Sequence, residues 1–153
     1  MIQMWRIVGM VIVCIMLVGG ISPAIADSIY GYTFNQHLWT TTINTNSNKD
    51  IEYDVDMPDG ADYNLYVWDT WGENWYTSKA DGNTDYIIAP QHKGYKHYLY
   101  LYAYKGEGKW VLYCDDINWV PGSIKDLGQY TPAEIQDLLN SNPDYPDEDY
   151  YDY

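Results

Sequence analysis

Apolar and polar positions alternate with a period of two over most of residues 27–123, a pattern that predicts β-strands. Successive side chains on a strand point to opposite faces, so alternation marks a ribbon with one face buried. The segment around which the rest is organised is 63–68, entered from Pro58-Asp59-Gly60 and left through a turn whose glycine is Gly72. Asp-Gly after proline is a strong turn signal, because glycine reaches positive φ without steric cost. On this strand Tyr63, Leu65 and Val67 share one face, read as core. Asp62, Asn64, Tyr66 and Trp68 share the other, read as a wet surface rich in rings.

The same pattern predicts strands over 28–34, 37–43, 51–57, 73–77, 86–89, 97–105 and 110–114. Ile51, Tyr53, Val55 and Met57 alternate with Glu52, Asp54 and Asp56. Over 97–105, Leu99, Leu101 and Ala103 oppose Tyr98, Tyr100, Tyr102 and Tyr104, and Gly106-Glu107-Gly108 makes a tight hairpin. Residues 44–49 and 90–94 read as loops and 81–83 as a turn. The connections are too short for crossover helices, so the pairing is antiparallel. Many short strands with frequent turns and no intervening helix predict an all-β sandwich over 27–123.

Past Pro121-Gly122 the period changes, and 124–142 is read as a helical segment. Thr131-Pro132-Ala133-Glu134 has the form of a helix start, with Thr131 as N-cap, Pro132 at N1 and Glu134 completing a capping box. Ile135, Leu138 and Leu139 form an i, i+3, i+4 apolar stripe that packs on the sandwich or docks on a partner. Residues 143–153 are an acidic tail: from Asp144 onward there are five carboxylates, four tyrosines and one proline, too polar to build a core.

Residues 1–26 read as a secretory signal peptide. Arg6 precedes the apolar run 7–18, Gly19-Gly20 and Pro23 break it, and Ala24-Ile25-Ala26 supplies a small-residue cleavage pattern. The alternative is an uncleaved anchor, for which the run is short against the roughly 20 residues that span a bilayer core. Cleavage leaves one cysteine, Cys114, which cannot form an internal disulfide and is read as a small buried side chain. It also leaves seven basic residues against 22 acidic ones, a net charge of −15. That balance disfavours nucleic acid and anionic lipid as partners and suits a soluble extracellular or cell-surface protein.

No catalytic constellation emerges. No serine lies in a nucleophile elbow, and His92 and His97 lack a zinc-ligand spacing, so all three histidines are read as solvent-exposed. Carboxylates near the organising strand, Asp59, Asp62, Asn64 and Asp69 foremost, are candidate calcium ligands, since calcium takes six to eight oxygens from such turns. The alternative is a solvated acidic edge that discourages sheet-to-sheet pairing. The sharpest feature is aromatic. If the leucines face inward, Tyr66, Trp68, Tyr100 and Tyr102 lie outward, where rings can stack on sugars or anchor a protein partner. The alternative is that these rings pair across strands or lie beneath the C-terminal helix.

Three segments together resemble the bacterial and archaeal pre-peptidase C-terminal domain. Residues 51–58 look like its strand entering a Pro-Asx/Ser-Gly turn. Residues 61–69 look like its central Asp-x-Asp-Leu-Tyr-Leu strand, with Asn64 where a second aspartate is usual. Residues 98–112 look like its final strand pair around a Gly-x-Gly hairpin. The likeness spans about residues 28–115 and implies a jelly-roll-like β-sandwich, non-catalytic, with calcium bound in some relatives. Domains of this kind accompany proteases and aid secretion or substrate attachment. The expectation is therefore a secreted binding module for polysaccharide or a partner protein, acting through Tyr66, Trp68, Tyr100 and Tyr102. The alternatives are a structural subunit of an extracellular assembly and an accessory to a separate secreted protease.

Overall fold

The structure, a computed structural model, describes residues 27–78, 84–114, 119–120 and 122–143. The segment 1–26 read as a signal peptide, residues 81–83 read as a turn and all but Pro143 of the segment 143–153 read as a tail lie outside the described residues. Among the described residues, nine strands and one helix follow in chain order: β1 (Asp27–Thr33), β2 (His37–Asn44), β3 (Asp50–Asp56), β4 (Asp62–Asp69), β5 (Asn74–Ser78), β6 (Thr84–Pro90), β7 (Lys96–Lys105), β8 (Gly108–Cys114), β9 (Lys125–Gln129) and α1 (Pro132–Leu139).

The strands form two antiparallel sheets. One has five strands in the order β9-β2-β7-β4-β5, the other four in the order β1-β8-β3-β6. This is the sandwich the alternation predicts. Its turns form where the residues demand them: Gly60 has φ 78° and the Ala61 amide donates to the Pro58 carbonyl at 3.0 Å, closing the turn that launches β4. Gly106 (φ 88°) and Gly108 (φ 139°) close the β7–β8 hairpin in a conformation that a Cβ would strain.

Between the sheets lies a core of Ile43, Ile51, Tyr53, Val55, Leu65, Val67, Leu99, Leu101, Trp110 and Leu112 with their neighbours. Cys114 is buried there and forms no disulfide among the described residues. Leu65 on β4 pairs in register with Leu101 on β7, and Val67 with Leu99, so the inward face of the five-stranded sheet is continuous.

One feature departs from the expectation. Residues 125–129 form β9, an edge strand paired with β2 (Lys125 opposite Thr40, Asp126 opposite Trp39), so the sandwich extends past residue 123 into the segment read as helical. Lys-Asp-Leu-Gly-Gln carries no alternation; β2 supplies the ladder that makes it a strand. The helix packs on the sandwich, one of the two outcomes expected of its apolar stripe, and makes a third layer. α1 lies on the outer face of the five-stranded sheet and closes a second apolar cluster of Leu38, Tyr66, Trp68, Tyr98, Tyr100, Tyr102 and Ile135, with Trp75, Tyr130, Leu138 and Leu139 at its margin.

The helix starts as its residues predict. The Glu134 amide donates to Thr131 Oγ1 at 3.2 Å and the Thr131 amide to Glu134 Oε1 at 2.8 Å, a complete capping box. Eight residues are too few to hold a helix in water alone, so its stability comes from the face it buries.

Candidate functional site

The four rings expected to meet solvent do not. Tyr66, Trp68, Tyr100 and Tyr102 retain at most 5% exposure, and Tyr98 joins them beneath α1. They do alternate away from the inter-sheet core, as the period-two pattern requires, but the outward face of this sheet is covered. The reason is the apolar stripe of α1. Ile135 is buried against these rings, the Tyr102 hydroxyl donates to the Tyr130 carbonyl at 2.8 Å, and Trp75 Nε1 donates to the Ser141 carbonyl at 3.1 Å. Trp68 and Trp75 meet edge to face at 5.2 Å. These contacts account for the rings as packing, and the exposed-ladder reading of this face is corrected.

The candidate calcium ligands also separate. Asp59 sits exposed in the turn before β4, and Asp62 and Asn64 lie at the start of that strand. Asp69 closes the same strand, seven residues beyond Asp62, so the two are roughly 24 Å apart at about 3.4 Å per residue. It is 1% exposed, accepts from the Trp71 amide at 3.0 Å and lies 3.8 Å from His97 Nε2. The four do not converge on one point, and among the described residues no three His, Cys, Asp or Glu side chains are grouped to hold a metal ion. A hexa- to octadentate oxygen shell does not fit this arrangement.

The histidine reading needs the same kind of correction. His97 is 1% exposed inside β7, where Nδ1 lies 2.7 Å from the Tyr53 hydroxyl and Nε2 lies 3.0 Å from the Pro90 carbonyl. A carbonyl can only accept, so Nε2 carries the proton and Nδ1 accepts from Tyr53. Burial pushes the His97 pKa below 6.5, against the opposing pull of Asp69. His37 lies on β2, partly exposed, 3.2 Å from Asp126; His92 stacks on Trp71 with ring centroids 3.6 Å apart.

An exposed aromatic surface does exist, on the other sheet. The outer face of β1-β8-β3-β6 presents Tyr30 (76% exposed), Tyr86 (58%) and Ile88 (52%), with Tyr113 partly covered between them. Register places Tyr113 on β8 and Tyr86 on β6 directly either side of Asp54 on β3, while Glu52 and Asp56 share that strand's outward face. Tyr30 pairs with Val111 and Tyr32 with Lys109. A shallow groove of about 480 Å³ runs along these two strands, lined by Tyr30, Tyr32, Lys109 and Val111. The surface is thus a carboxylate strand flanked by tyrosines. The strand alternation did place Glu52, Asp54 and Asp56 opposite the apolar positions of their strand, but it singled out neither Tyr30 nor Tyr86. It carried no signal to distinguish an open outer face from a covered one.

A second concavity, of about 340 Å³, lies where α1 meets the start of β4 and the end of β7. Asp62, Asn64, Tyr66, Tyr102 and Tyr104 line its sheet side, and Ile135 and Gln136 its helix side. Burial pushes the Tyr66 hydroxyl pKa up, partly offset by a hydrogen bond from the Asn64 side chain; burial, Tyr66, Tyr104 and Glu134 push Tyr102 up to about 12. Both phenols stay protonated in any physiological medium.

Comparison with solved structures finds similarity to the crystal structure of the pre-peptidase C-terminal domain of collagenase from Bacillus anthracis. The identity is 26% and the TM-score 0.50, over 59% of this chain and 89% of that one. No protein-family model matches the chain, and no curated protein does.

Proposed function

We propose that this pre-peptidase C-terminal-like sandwich is a non-catalytic attachment module of the extracellular space, engaging polysaccharide through the outer face of β1-β8-β3-β6. One observation supports the reading most: Tyr86 and Tyr113 flank the outward Asp54 carboxylate, with Tyr30 one strand further out, on a sheet face that no other described element covers. Rings of this kind stack on the C–H faces of sugars while carboxylates accept from hydroxyls. The −15 charge of residues 27–153 opposes anionic polymers, so a neutral polysaccharide is the class this face suits.

A second reading has its own support. The similar solved domain comes from a collagenase, so a fibrous protein substrate of a companion protease is the alternative ligand, reached through the same face. The leader-like residues 1–26 accord with an extracellular setting for either.

The test is a pull-down against insoluble neutral polysaccharides and, separately, collagen. Tyr30→Ala with Tyr86→Ala should weaken binding at least about tenfold, as truncating interface aromatics does, with the melting temperature held within a few degrees because both rings are exposed. Wild-type retention by the double variant would remove this face from consideration. Binding to collagen alone would transfer the proposal to the second reading.

A further inference from the structure

The register of the four-stranded sheet sets its outward side chains in lines that cross the strands. One line runs from Tyr86 on β6 through Asp54 on β3 and Tyr113 on β8 to Ser28 on β1, each paired with the next. Strands lie about 4.8 Å apart, so the two tyrosines stand roughly 9.6 Å from each other with one strand between them. On that middle strand Glu52 and Asp56 are exposed two residues to either side of Asp54, about 7 Å away along β3. Asp54 has a partner of its own within the protein, so Glu52 and Asp56 are the acceptors this face offers. The next line, Tyr30, Val111, Asp56 and Thr84, carries a ring only at its β1 end. On the other side Glu52 stands beside Ile88. The repeating unit of the face is therefore ring, gap flanked by carboxylates, ring.

An extended pyranose chain with equatorial 1,4-links advances by close to one strand spacing per sugar. Its twofold symmetry returns the same C–H face to the same side at every second sugar. Laid across the strands, such a chain puts one sugar on Tyr86, the next over β3 and the third on Tyr113, whose rings receive the C–H faces. The equatorial hydroxyls of the middle sugar point sideways from the ribbon, toward Glu52 on one side and Asp56 on the other, and carboxylates accept from hydroxyls. A coiled chain, as α-1,4-links produce, does not bring alternate faces into line at this interval. A ribbon of uronates would set its own carboxylates against Glu52 and Asp56. Neighbouring strands are rotated by about 20–25°, so the two rings suit one chain that twists with the sheet and not the flat surface of a crystal.

We infer that this face binds a single neutral β-1,4-linked pyranose chain running across the strands, with Tyr86 and Tyr113 holding sugars two apart and Glu52 and Asp56 accepting from the hydroxyls of the sugar between. This narrows the polysaccharide reading, on which it rests, to one linkage and one direction across the sheet. Calorimetric titration with soluble β-1,4-linked glucose oligomers of two to six units provides the test. Affinity should rise at least about tenfold from the disaccharide, which reaches one ring, to the trisaccharide, which reaches both, the factor that an interface aromatic carries. Tyr86→Ala and Tyr113→Ala should each erase that step. Both side chains are at least partly exposed, so the melting temperature should hold within a few degrees. Tyr30→Ala, off this line, should leave the step in place. The α-1,4-linked glucose trisaccharide and the β-1,4-linked glucuronate trisaccharide should bind at least about tenfold more weakly than the β-1,4-linked glucose trisaccharide. The assignment is overturned if the disaccharide and trisaccharide bind alike, if both tyrosine variants keep the step, if the α-linked trisaccharide binds as tightly, or if no oligomer binds. Any of these results beside a positive polysaccharide pull-down removes the linkage and direction alone, whereas a negative pull-down removes the polysaccharide reading with them.

Discussion

Replacing Ile135 by alanine tests whether α1 is what keeps the tyrosine ladder dry. Ile135 is 4% exposed and packs into the cluster of Leu38, Tyr66, Trp68, Tyr98, Tyr100 and Tyr102. The substitution removes three carbons, worth about 2.4 kcal/mol at ~0.8 kcal/mol each, and the incompletely collapsed gap brings the loss to about 3 kcal/mol. What remains to hold the helix is modest. Leu138 and Leu139 lie at the cluster margin, and the Tyr102–Tyr130 and Trp75–Ser141 hydrogen bonds contribute about 0.5–1.5 kcal/mol each. An eight-residue helix has no independent stability, so the loss should appear as local undocking of α1, with both sheets intact. About 3 kcal/mol corresponds to an opening equilibrium raised roughly 150-fold.

Hydrogen exchange reads this directly at the Ile135 and Asn140 amides, which bond to the Thr131 and Gln136 carbonyls at 3.0 and 3.1 Å. Emission from Trp68 and Trp75 should shift red as their cover loosens. Ile88→Ala, 52% exposed on the opposite sheet, is the control and should cost under about 0.5 kcal/mol. If exchange at α1 rises less than about threefold and emission does not move, the helix is not the cover that the packing describes, and the ladder is dry for another reason.

Two further expectations follow from the inter-sheet core. Gly31→Ala would place a Cβ within 3.0 Å of two Trp110 ring carbons, one of them Cε2 at 2.7 Å; Trp110 is 2% exposed and braced edge to face by Trp39 at 4.9 Å. Urea denaturation should show a loss of about 1–3 kcal/mol from overpacking, and an unchanged midpoint would mean the indole has room the structure does not show. Acid should also weaken the fold through His97, whose folded pKa lies below its unfolded value of 6.5. The unfolded chain then binds the proton more readily, so stability is full above pH ~6.5 and falls as pH drops through the window between the two values. Asp85, raised by burial while Ser78, Leu65 and Tyr86 hold it down by hydrogen bonds, works in the opposite sense: its protonation favours the folded state as acid increases. Denaturation midpoints falling as the pH drops below 6.5, with the His97 ring titrating below 6.5 by NMR, are the expected results; a ring titrating at or above 6.5 contradicts them.

Local patterning was sufficient for the strands, because alternation and turn chemistry act over a few residues. Tyr63, Leu65 and Val67 faced the core as their period required, Gly60 and Gly106 turned the chain where they stand, and the Thr131–Glu134 box started the helix. The same alternation separated Tyr66, Trp68, Tyr100 and Tyr102 from that core. It could not say what lies beyond them, because period two distinguishes the two faces of a strand and not a wet face from a covered one. Only long-range packing decided that. α1 reached back across the sheet to bury those rings, β2 converted 125–129 into an edge strand, and Tyr53 with Pro90 enclosed His97. The exposed face passed to Tyr30, Tyr86 and Tyr113, and the carboxylates that stand close in sequence were distributed to opposite ends of a strand about 24 Å long. Residues adjacent in the chain share a strand; which surfaces meet water depends on segments far away along it.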